Sequence, residues 1–333
     1  MKLICDLTAT SRPIRPRVTL PPPALRLDFV NDVFTPGGFG SVITFARASA
    51  ATYFDATGAL QTAAADAPRL DHDPVTLARR GLLIEGARTN LFLNSATPAT
   101  QAIAVTAQSY ALSFRGTGSI TLSGAHAAVV NGTGASQRVD LVFTPTAGTL
   151  TLTLAGSVIE PQLEAGICAT SHIMTAGAPV ARSDDRASVA VGGWWNATEG
   201  TIAVEWQNIN AEPGNSRIVG LDGSQTALNL AARVAPNSAN SLQAFNGSAS
   251  LTRANGSDIT KGIRRGVLAY SASGRAVGFA GVLATDANPV ALTSVTSIFL
   301  GHSSSNTLTI NGYLRSVRYF ASRLTDPQLL SLL

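Results

Sequence analysis

The sequence predicts an all-β protein made of antiparallel β-sandwiches, with a short C-terminal helix and an extended N-terminal arm. Charged residues make up only 13% of the 333 residues, and lysine occurs only at Lys2 and Lys261. Long amphipathic helices carry Glu and Lys on their solvent faces, so this composition argues against them. Short stretches of alternating apolar and polar residues are separated by glycine-rich turns, which is typical of half-buried strands.

Residues 1–25 are predicted to form an extended arm, because the stretch SRPIRPRVTLPPPA is rich in proline. Proline fixes φ and lacks an N–H group, so such a segment cannot supply a ladder of hydrogen bonds. We interpret the arm as a linker to a partner subunit, with simple disorder as the alternative. Arg12, Arg15 and Arg17 would suit an acidic surface on that partner, although a solvated arm explains them equally well.

Residues 26–95 are predicted to form a β-rich collar that could complete a later sheet. Strand-like runs such as LRLDFV, SVITFARA and GLLIEGA end at Gly, Pro or Asp. Asp55 and Gly58 in the run FDATGAL predict a tight reversal between two strands.

Two further units follow the collar. Residues 96–182 predict a small antiparallel sandwich, because period-two stretches alternate with glycine turns at intervals of about ten residues. Residues 183–333 contain another series of short strands and end in RLTDPQLLSLL, the clearest helix in the chain. Thr325 is a suitable N-cap, Pro327 suits the first turn and Gln328 completes a capping box. The leucines of this helix would cover an apolar opening: Leu329, Leu330, Leu332 and Leu333.

Charge and cysteine content argue against several classes of protein. The net charge of +4 comes from arginines spread along the chain, so no nucleic-acid partner is predicted. No stretch approaches about 18 apolar residues, and the apolar run after Lys2 ends at Asp6, so neither a membrane span nor a signal peptide is expected. Cys5 and Cys168 are too few for a disulfide framework, and Cys168 is predicted to be buried. No glycine loop opens a helix, so no cofactor is expected.

The densest group of charged and ring side chains lies in residues 43–93 and has two interpretations. It could be a catalytic or metal site, or a set of hydrogen-bonded fasteners for a loop-rich segment. Consecutive residues of a strand point in different directions, so the Asp-His-Asp run at 71–73 is not expected to converge on one ion. We therefore predict fasteners and no metal site, with Arg69 and Arg88 as partners of the two aspartates. The group comprises Arg47, Tyr53, Arg69, Asp71, His72, Asp73, Glu85, Arg88 and Asn90.

Each of the three folded units resembles a known class of protein. The collar carries FARAS, ATY, PRLDHDPVT and GLLIEGARTNL, which resemble a recurrent block in virion proteins of tailed bacteriophages. In the middle unit, LSFRGTGSITLSG and FTPTAGTLTLTLAGSV resemble carbohydrate-binding-module sandwiches. The ending GYLRSVRYFASRLTDPQLLSLL resembles the last strand and helix of a concanavalin A-like (laminin-G-like) jelly roll. With its lysine-poor, arginine-rich composition, the chain is similar to the head-spike fibres of alphaproteobacterial gene transfer agents, which are phage-like particles.

This resemblance implies a receptor-binding fibre or spike that adheres to capsular polysaccharide on the host cell. The arm would dock on a spike-base or capsid protein, and the fibre would be a homo-oligomer, commonly a trimer in phage fibres. Such a protein is made in the cytoplasm, assembled on the particle surface and released by lysis. The alternatives are a polysaccharide depolymerase on a tail or spike, and a purely architectural tail-fibre protein.

No arrangement of residues predicts catalysis, and we expect a non-enzymatic protein. A retaining glycosidase needs two carboxylates about 5 Å apart that face one sugar. Glu205 stands alone on its strand, and Glu160 and Glu164 lie in a stretch that leads to the sandwich exit in the resembling modules. The histidines are scattered, no strand–helix elbow presents a serine, and His302 is predicted to be a surface imidazole.

The residues that could bind sugar have aromatic rings or, in the case of arginine, a guanidinium group. Pyranose C–H faces stack on indole rings, and Trp195 could be exposed if it and Trp194 point to opposite sides of a strand, although core packing is the alternative. Trp206 is predicted to lie in the core. In the middle unit, the possible rim residues for a polysaccharide are Tyr110, Arg115 and His126.

Overall fold

The computed structural model describes residues 18–208, 214–221, 228–235, 238–245, 252–255, 262–303, 305 and 308–333. The arm arginines, Arg12, Arg15 and Arg17, lie outside these residues. Within the described part, 27 strands and two short helices are present, and the strands pair antiparallel. The prediction of an all-β protein of antiparallel sandwiches with a C-terminal helix is therefore confirmed.

The collar contributes eight strands and one helical turn. They are β1 (Leu25–Asp28), β2 (Val33–Thr35), α1 (Phe39–Val42), β3 (Thr44–Ala46), β4 (Ala51–Phe54), β5 (Leu60–Ala63), β6 (Leu70–His72), β7 (Arg79–Ile84) and β8 (Arg88–Asn90). The predicted reversal at Asp55 and Gly58 joins β4 to β5: the Asp55 carboxylate accepts from Thr57 N–H at 2.8 Å, and Gly58 has a φ of +78°.

The middle unit forms a small sandwich. Its strands are β9 (Gln101–Val105), β10 (Tyr110–Gly116), β11 (Ser119–Gly124), β12 (Ala128–Asn131), β13 (Gly134–Phe143), β14 (Gly148–Ala155), β15 (Ile159–Ala165) and β16 (Val180–Arg182). One sheet has the order β13-β10-β15 and the other β12-β11-β14-β9, while β16 pairs with β8 of the collar. Leu112, Phe114 and Leu163 from the first sheet pack on Leu150 and Leu152 from the second.

The C-terminal unit supplies the remaining elements. They are β17 (Arg186–Ala190), β18 (Gly200–Asn208), β19 (Gly214–Leu221), β20 (Asn229–Ala235), β21 (Ser238–Phe245), β22 (Thr252–Asn255), β23 (Gly262–Ser271), β24 (Gly274–Phe279), β25 (Val282–Asp286), β26 (Ser297–Leu300), β27 (Gly312–Phe320) and α2 (Asp326–Ser331).

Strands of the collar belong to both sheets of this larger sandwich. One sheet has the order β2-β1-β27-β18-β23-β24-β25, with β7 also paired to β27 and β6 to β7. The facing sheet has the order β22-β21-β20-β19-β26-β17-β3. Trp206 on β18 is fully buried in the core between them, as predicted, and the neighbouring Glu205 faces the other side. The domain boundaries at residues 25, 95 and 182 stay a prediction.

The C-terminal helix forms as the sequence predicts. Thr325 and Gln328 make both bonds of the capping box, and proline occupies the first turn. Leu329 and Leu332 are buried against the outer face of the sheet, whereas Leu330 is 43% exposed. Within the described residues, no helix has the length and hydropathy to cross a membrane.

The prediction for His302 was wrong, because its ring is only 1% exposed. The glycine before it ends β26 inside the sandwich, next to β17. There the Ala187 N–H donates to His302 Nε2 at 3.0 Å, and Nδ1 lies 2.8 Å from the Ser303 carbonyl oxygen. The imidazole therefore fastens β17 and is not a surface group.

Candidate functional site

A cleft of about 620 Å³ lies between the middle sandwich and the collar. Its floor is the outer face of the sheet β13-β10-β15. One wall is formed by β4 with the β6–β7 hairpin, and the Ala169–His172 segment closes the back. Binding sites for small polar ligands are typically concave places of this size where several chain segments meet.

The floor of the cleft carries two arginines on neighbouring strands. Along β10, Phe114 points into the sandwich core, so Arg115 points outward. Its guanidinium donates to both carboxylate oxygens of Glu160, at 3.0 and 2.6 Å. Arg138 on β13 is the register partner of Arg115 and donates from Nε to Ser113 Oγ at 3.0 Å. The floor therefore presents the guanidinium groups of two arginines and two carboxylates, those of Glu160 and of Asp140 on β13.

The backbone of Glu160 has a left-handed conformation, with a φ of +52°. A non-glycine residue in this region is strained by roughly 1–3 kcal/mol, and such strain is concentrated at functional sites. Here it coincides with a break in the register between β10 and β15. The conformation accompanies the two-pronged bond between the Glu160 carboxylate and Arg115.

The wall of the cleft is organised around Arg80. Its Nη2 donates to Asp73 at 2.7 Å, and its Nη1 lies 3.4 Å from Asp71 Oδ2 and 3.2 Å from Tyr313 Oη. Asp71 also accepts from the Phe54 N–H at 2.6 Å and from the Tyr313 hydroxyl at 2.9 Å. Each of these polar side chains of the wall therefore makes at least one hydrogen bond to another group of the protein.

The two wall aspartates have pKa values shifted in opposite directions. Burial raises the pKa of Asp71 above its usual value, despite the bonds it accepts. Burial also acts on Asp73, but bonds from the Thr76 and Val75 N–H groups and from Arg80 outweigh it and lower its pKa to about 2. Asp73 is therefore ionised at any physiological pH.

Aromatic rings complete the wall. Phe54 is covered on one face by the Arg115 guanidinium, 5.0 Å from the ring centroid. The Tyr313 ring lies beneath Arg80 at 5.5 Å. Tyr53 is half-buried and also lines the cleft, and among the described residues no cation stacks on its ring. Tyr53 is therefore an aromatic residue of the cleft lining whose ring is not covered by a described cation.

Behind the cleft lies a buried network of ion pairs. Arg69 Nη2 contacts Glu85 at 2.8 Å and Asp185 at 2.5 Å. Arg47 contacts the other oxygen of Asp185 at 3.1 Å, and Glu85 accepts from the N–H and hydroxyl of Ser171 at 2.7 and 2.6 Å. The network joins the collar to the segment after β15 and to the chain before β17. The prediction that these collar charges are fasteners is confirmed for Arg47, Arg69 and Glu85.

The predicted partners of the Asp-His-Asp run were wrong. Arg80 holds Asp71 and Asp73, whereas Arg69 belongs to the network with Glu85. The two aspartates are two positions apart, but β6 ends at His72 and its register shifts between Asp71 and His72. Strand periodicity in the sequence therefore gives no signal that both lie in the cleft wall. In the described part of the chain, no group of three or more His, Cys, Asp or Glu side chains could hold a metal ion.

The buried network makes the stability of the folded protein depend on pH. The pKa of Glu85 is lowered to about 2, because Arg182, Arg69 and Ser171 outweigh the effect of burial. The pKa of Glu85 is therefore lower in the folded protein than in the unfolded chain, where it is about 4.5. The ionised carboxylate contributes its full stabilisation above pH 4.5, and this contribution is lost as the pH falls toward 2. We expect Glu85→Gln to lose roughly 3 kcal/mol at neutral pH and less at low pH. Urea unfolding of both proteins between neutral pH and about pH 3 measures the difference; a constant difference would contradict this cause.

The residues predicted to bind sugar do not form one site. Arg115 lies in the cleft. Tyr110 is at the other end of β10, is 3% exposed, and accepts a bond from the Thr106 N–H at 3.1 Å. His126 stacks on Phe143 with a centroid distance of 4.6 Å. For Tyr110 and His126, sugar binding stays a prediction.

Trp195 lies in the C-terminal sandwich, in a turn and not in an extended strand. Its backbone N–H donates to the Gly192 carbonyl oxygen at 2.9 Å. Its indole ring stacks on the Tyr319 ring with a centroid distance of 4.8 Å. Trp194 meets it edge-on at 6.0 Å. The premise that the two indoles point to opposite sides of a strand was wrong, and both pack against the core.

Comparison with known proteins gives matches to solved structures only. No family model matches the chain, and no curated protein matches it. The carbohydrate-binding module CBM40 of a Ruminococcus gnavus IT-sialidase is 13% identical, covers 41% of this chain and 83% of its own, and has a TM-score of 0.33. Domain 4 of AbnA, an extracellular GH43 arabinanase from Geobacillus stearothermophilus, is 13% identical over 45% of this chain and 72% of its own, with a TM-score of 0.37.

A SAP-like pentraxin from Limulus polyphemus is 11% identical over 40% of this chain and 69% of its own, with a TM-score of 0.32. The likeness to these proteins is distant and concerns the β-sandwich fold alone.

Proposed function

We propose that this chain is a carbohydrate-binding protein and that the cleft between the middle sandwich and the collar is its glycan site. The observation that carries the proposal is the combination of Tyr53 with interlocked arginines and carboxylates in one cleft. Sugar hydroxyls both donate and accept hydrogen bonds, and the C–H face of a pyranose packs on an aromatic ring. Side chains that already hold one another, as Arg80 and Asp73 do, lose little conformational entropy on binding.

The site is better suited to binding than to catalysis. Asp73 accepts a charge-assisted bond from Arg80, which favours its ionised form, and both carboxylate oxygens of Glu160 are engaged by Arg115. A depolymerase is the second candidate, because the buried Asp71 has a raised pKa and lines the same cleft. General acids of glycosidases have such raised values. Incubating the protein with capsular polysaccharide and measuring new reducing ends distinguishes the two; chain shortening would favour the depolymerase.

We further propose that the chain is a receptor-binding fibre or spike of a phage-like particle, of the gene transfer agent kind. The support is the sequence of the collar, with its PRLDHDPVT and GLLIEGARTNL runs, and the proline-rich arm that would dock on a base protein. Weak sugar contacts become effective when several tethered copies act together, which suits a homo-oligomer such as a trimer. It would be made in the cytoplasm and carried on the particle surface.

Removing the ring of Tyr53 tests the glycan site. We expect Tyr53→Ala to weaken binding to capsulated cells about tenfold, because stacking of a ring contributes roughly 1 kcal/mol beyond the area it buries. Tyr53→Phe keeps the ring and should bind almost as the native protein does. The measurement is flow cytometry of labelled protein on capsulated and capsule-free cells, with a thermal melt to show that each variant is folded.

Native-like binding by Tyr53→Ala would show that the cleft is not the site. An architectural protein would give another result: no preference for capsulated cells, and particles that fail to assemble without it.

A further inference from the structure

Arg138 differs from the other arginines of the cleft in that its guanidinium makes no hydrogen bond to a described carboxylate. Its Nη1 is 4.0 Å from the nearest carboxylate oxygen, Oε2 of Glu160, and its Nη2 makes only a 3.3 Å bond to the Glu160 carbonyl oxygen. Arg115 and Arg80, in contrast, donate to carboxylates at 2.6 and 2.7 Å. Among the described residues, no carboxylate comes within hydrogen-bond distance of the Arg138 guanidinium.

The described carboxylates around Arg138 make no hydrogen bond to its guanidinium. Glu160 is engaged by Arg115 through both oxygens. Glu164 is fully buried, and burial raises its pKa. Asp140 lies two positions along β13 and also lines the cleft, but it is exposed, and the ion pair of Arg138 is with Glu160. The Arg138 side chain itself is 23% exposed in the cleft.

The electrostatic surroundings agree with this geometry. Burial lowers the pKa of the Arg138 guanidinium, the nearby Arg115 acts in the same direction, and the carboxylates around it do not compensate. His172 also lines the cleft, but burial and Arg138 lower its pKa to about 4, so it carries no charge at neutral pH. The floor of the cleft thus has a cation whose nearest carboxylate, that of Glu160, lies 4.0 Å away and is shared with Arg115.

We propose that the cleft binds acidic saccharides, and that the sugar carboxylate accepts hydrogen bonds from Nη1 and Nη2 of Arg138. This inference rests on the proposed glycan-binding function and names its ligand class. Each terminal nitrogen of a guanidinium carries two N–H groups, and a planar guanidinium matches a carboxylate in two-pronged geometry. The sugar ring then lies across the cleft toward Tyr53, and its hydroxyls meet Glu160 and Arg80.

The test uses an array of acidic oligosaccharides, each paired with a neutral counterpart in which the carboxyl group is reduced or esterified. We expect the native protein to bind at least one acidic glycan about tenfold more tightly than its neutral partner. Arg138→Gln should remove that difference, while Arg138→Lys keeps the charge and retains part of it. A tenfold change corresponds to about 1.4 kcal/mol.

Arg186→Gln is the matched control. Arg186 is also an arginine on a strand, but it lies on β17 of the other sandwich, with a side chain that is 52% exposed, and its removal should change nothing. Equal binding of acidic and neutral partners, or a preference unaltered in Arg138→Gln, would overturn the acidic-glycan inference and leave the glycan site standing. Binding to no glycan on the array would overturn both.

Discussion

Asp185→Asn is expected to destabilise the protein by about 3–5 kcal/mol, the cost of removing one partner from a buried ion pair. The Asp185 carboxylate is fully buried and contacts Arg47 at 3.1 Å and Arg69 at 2.5 Å. It also accepts from the Glu85 N–H at 2.9 Å. The amide keeps the size of the side chain but leaves three buried arginines, Arg47, Arg69 and Arg182, with one carboxylate fewer. Urea unfolding monitored by tryptophan fluorescence measures the loss.

The neighbouring residue provides a control for this prediction. Asp184 pairs with Arg186 at 2.8 Å, but the arginine is half exposed, and exposed pairs contribute only about 0–1 kcal/mol. Asp184→Asn should therefore leave the unfolding midpoint almost unchanged. If the two variants lost equal stability, burial of the ion pairs would not be the cause of the loss.

Arg80→Gln is expected to weaken glycan binding by about ten- to a hundredfold. The substitution removes the one cation that holds Asp71 and Asp73 in the cleft wall. A hydrogen bond to a charged group is worth roughly 1.5–3 kcal/mol, which corresponds to that range of affinity. Asp71 and Asp73 would keep the bonds that they accept from the backbone but would lose the cation that lies between them. Titration of labelled capsular polysaccharide gives the affinity.

Arg79→Gln is the matched control on the same strand. Arg79 points to the other side of β7, where it contacts Asp32 at 3.4 Å outside the cleft. Arg79→Gln removes the same charge as Arg80→Gln, from the adjacent position but outside the cleft. The affinity for polysaccharide should therefore stay within about twofold of the native value. A comparable loss in both variants would mean that net charge, and not the wall of the cleft, governs binding.

The fold could be predicted from the sequence because its signals are local. Period-two stretches and glycine turns predict the strands, and Thr325 with Gln328 predicts the last helix. The fasteners Arg47, Arg69 and Glu85 could be anticipated because buried charges need partners in a chain with few of them. His302 could not, since its burial depends on where β17 passes.

The cleft could not be assembled from sequence, because its groups are distant along the chain. Arg80 and Tyr313, which contact each other in its wall, are 233 positions apart. Arg138 reaches the floor only through its register with Arg115 across β13 and β10. Period-two patterning states which residues share a face, but not which strands become neighbours. Only the register of pairing unites these residues.

The pairing of β1 with β27 sets an order for folding during synthesis. Arg26 pairs with Arg318, so the collar leaves the ribosome long before the strand that completes its sheet exists. The middle sandwich contains all strands of its own two sheets and can close earlier, since its contacts are closer in sequence. During that interval Arg47 and Arg69 are solvated, because Asp185, which pairs with both of them in the folded protein, lies further along the chain. The buried network can therefore form only after the whole middle sandwich has been synthesised.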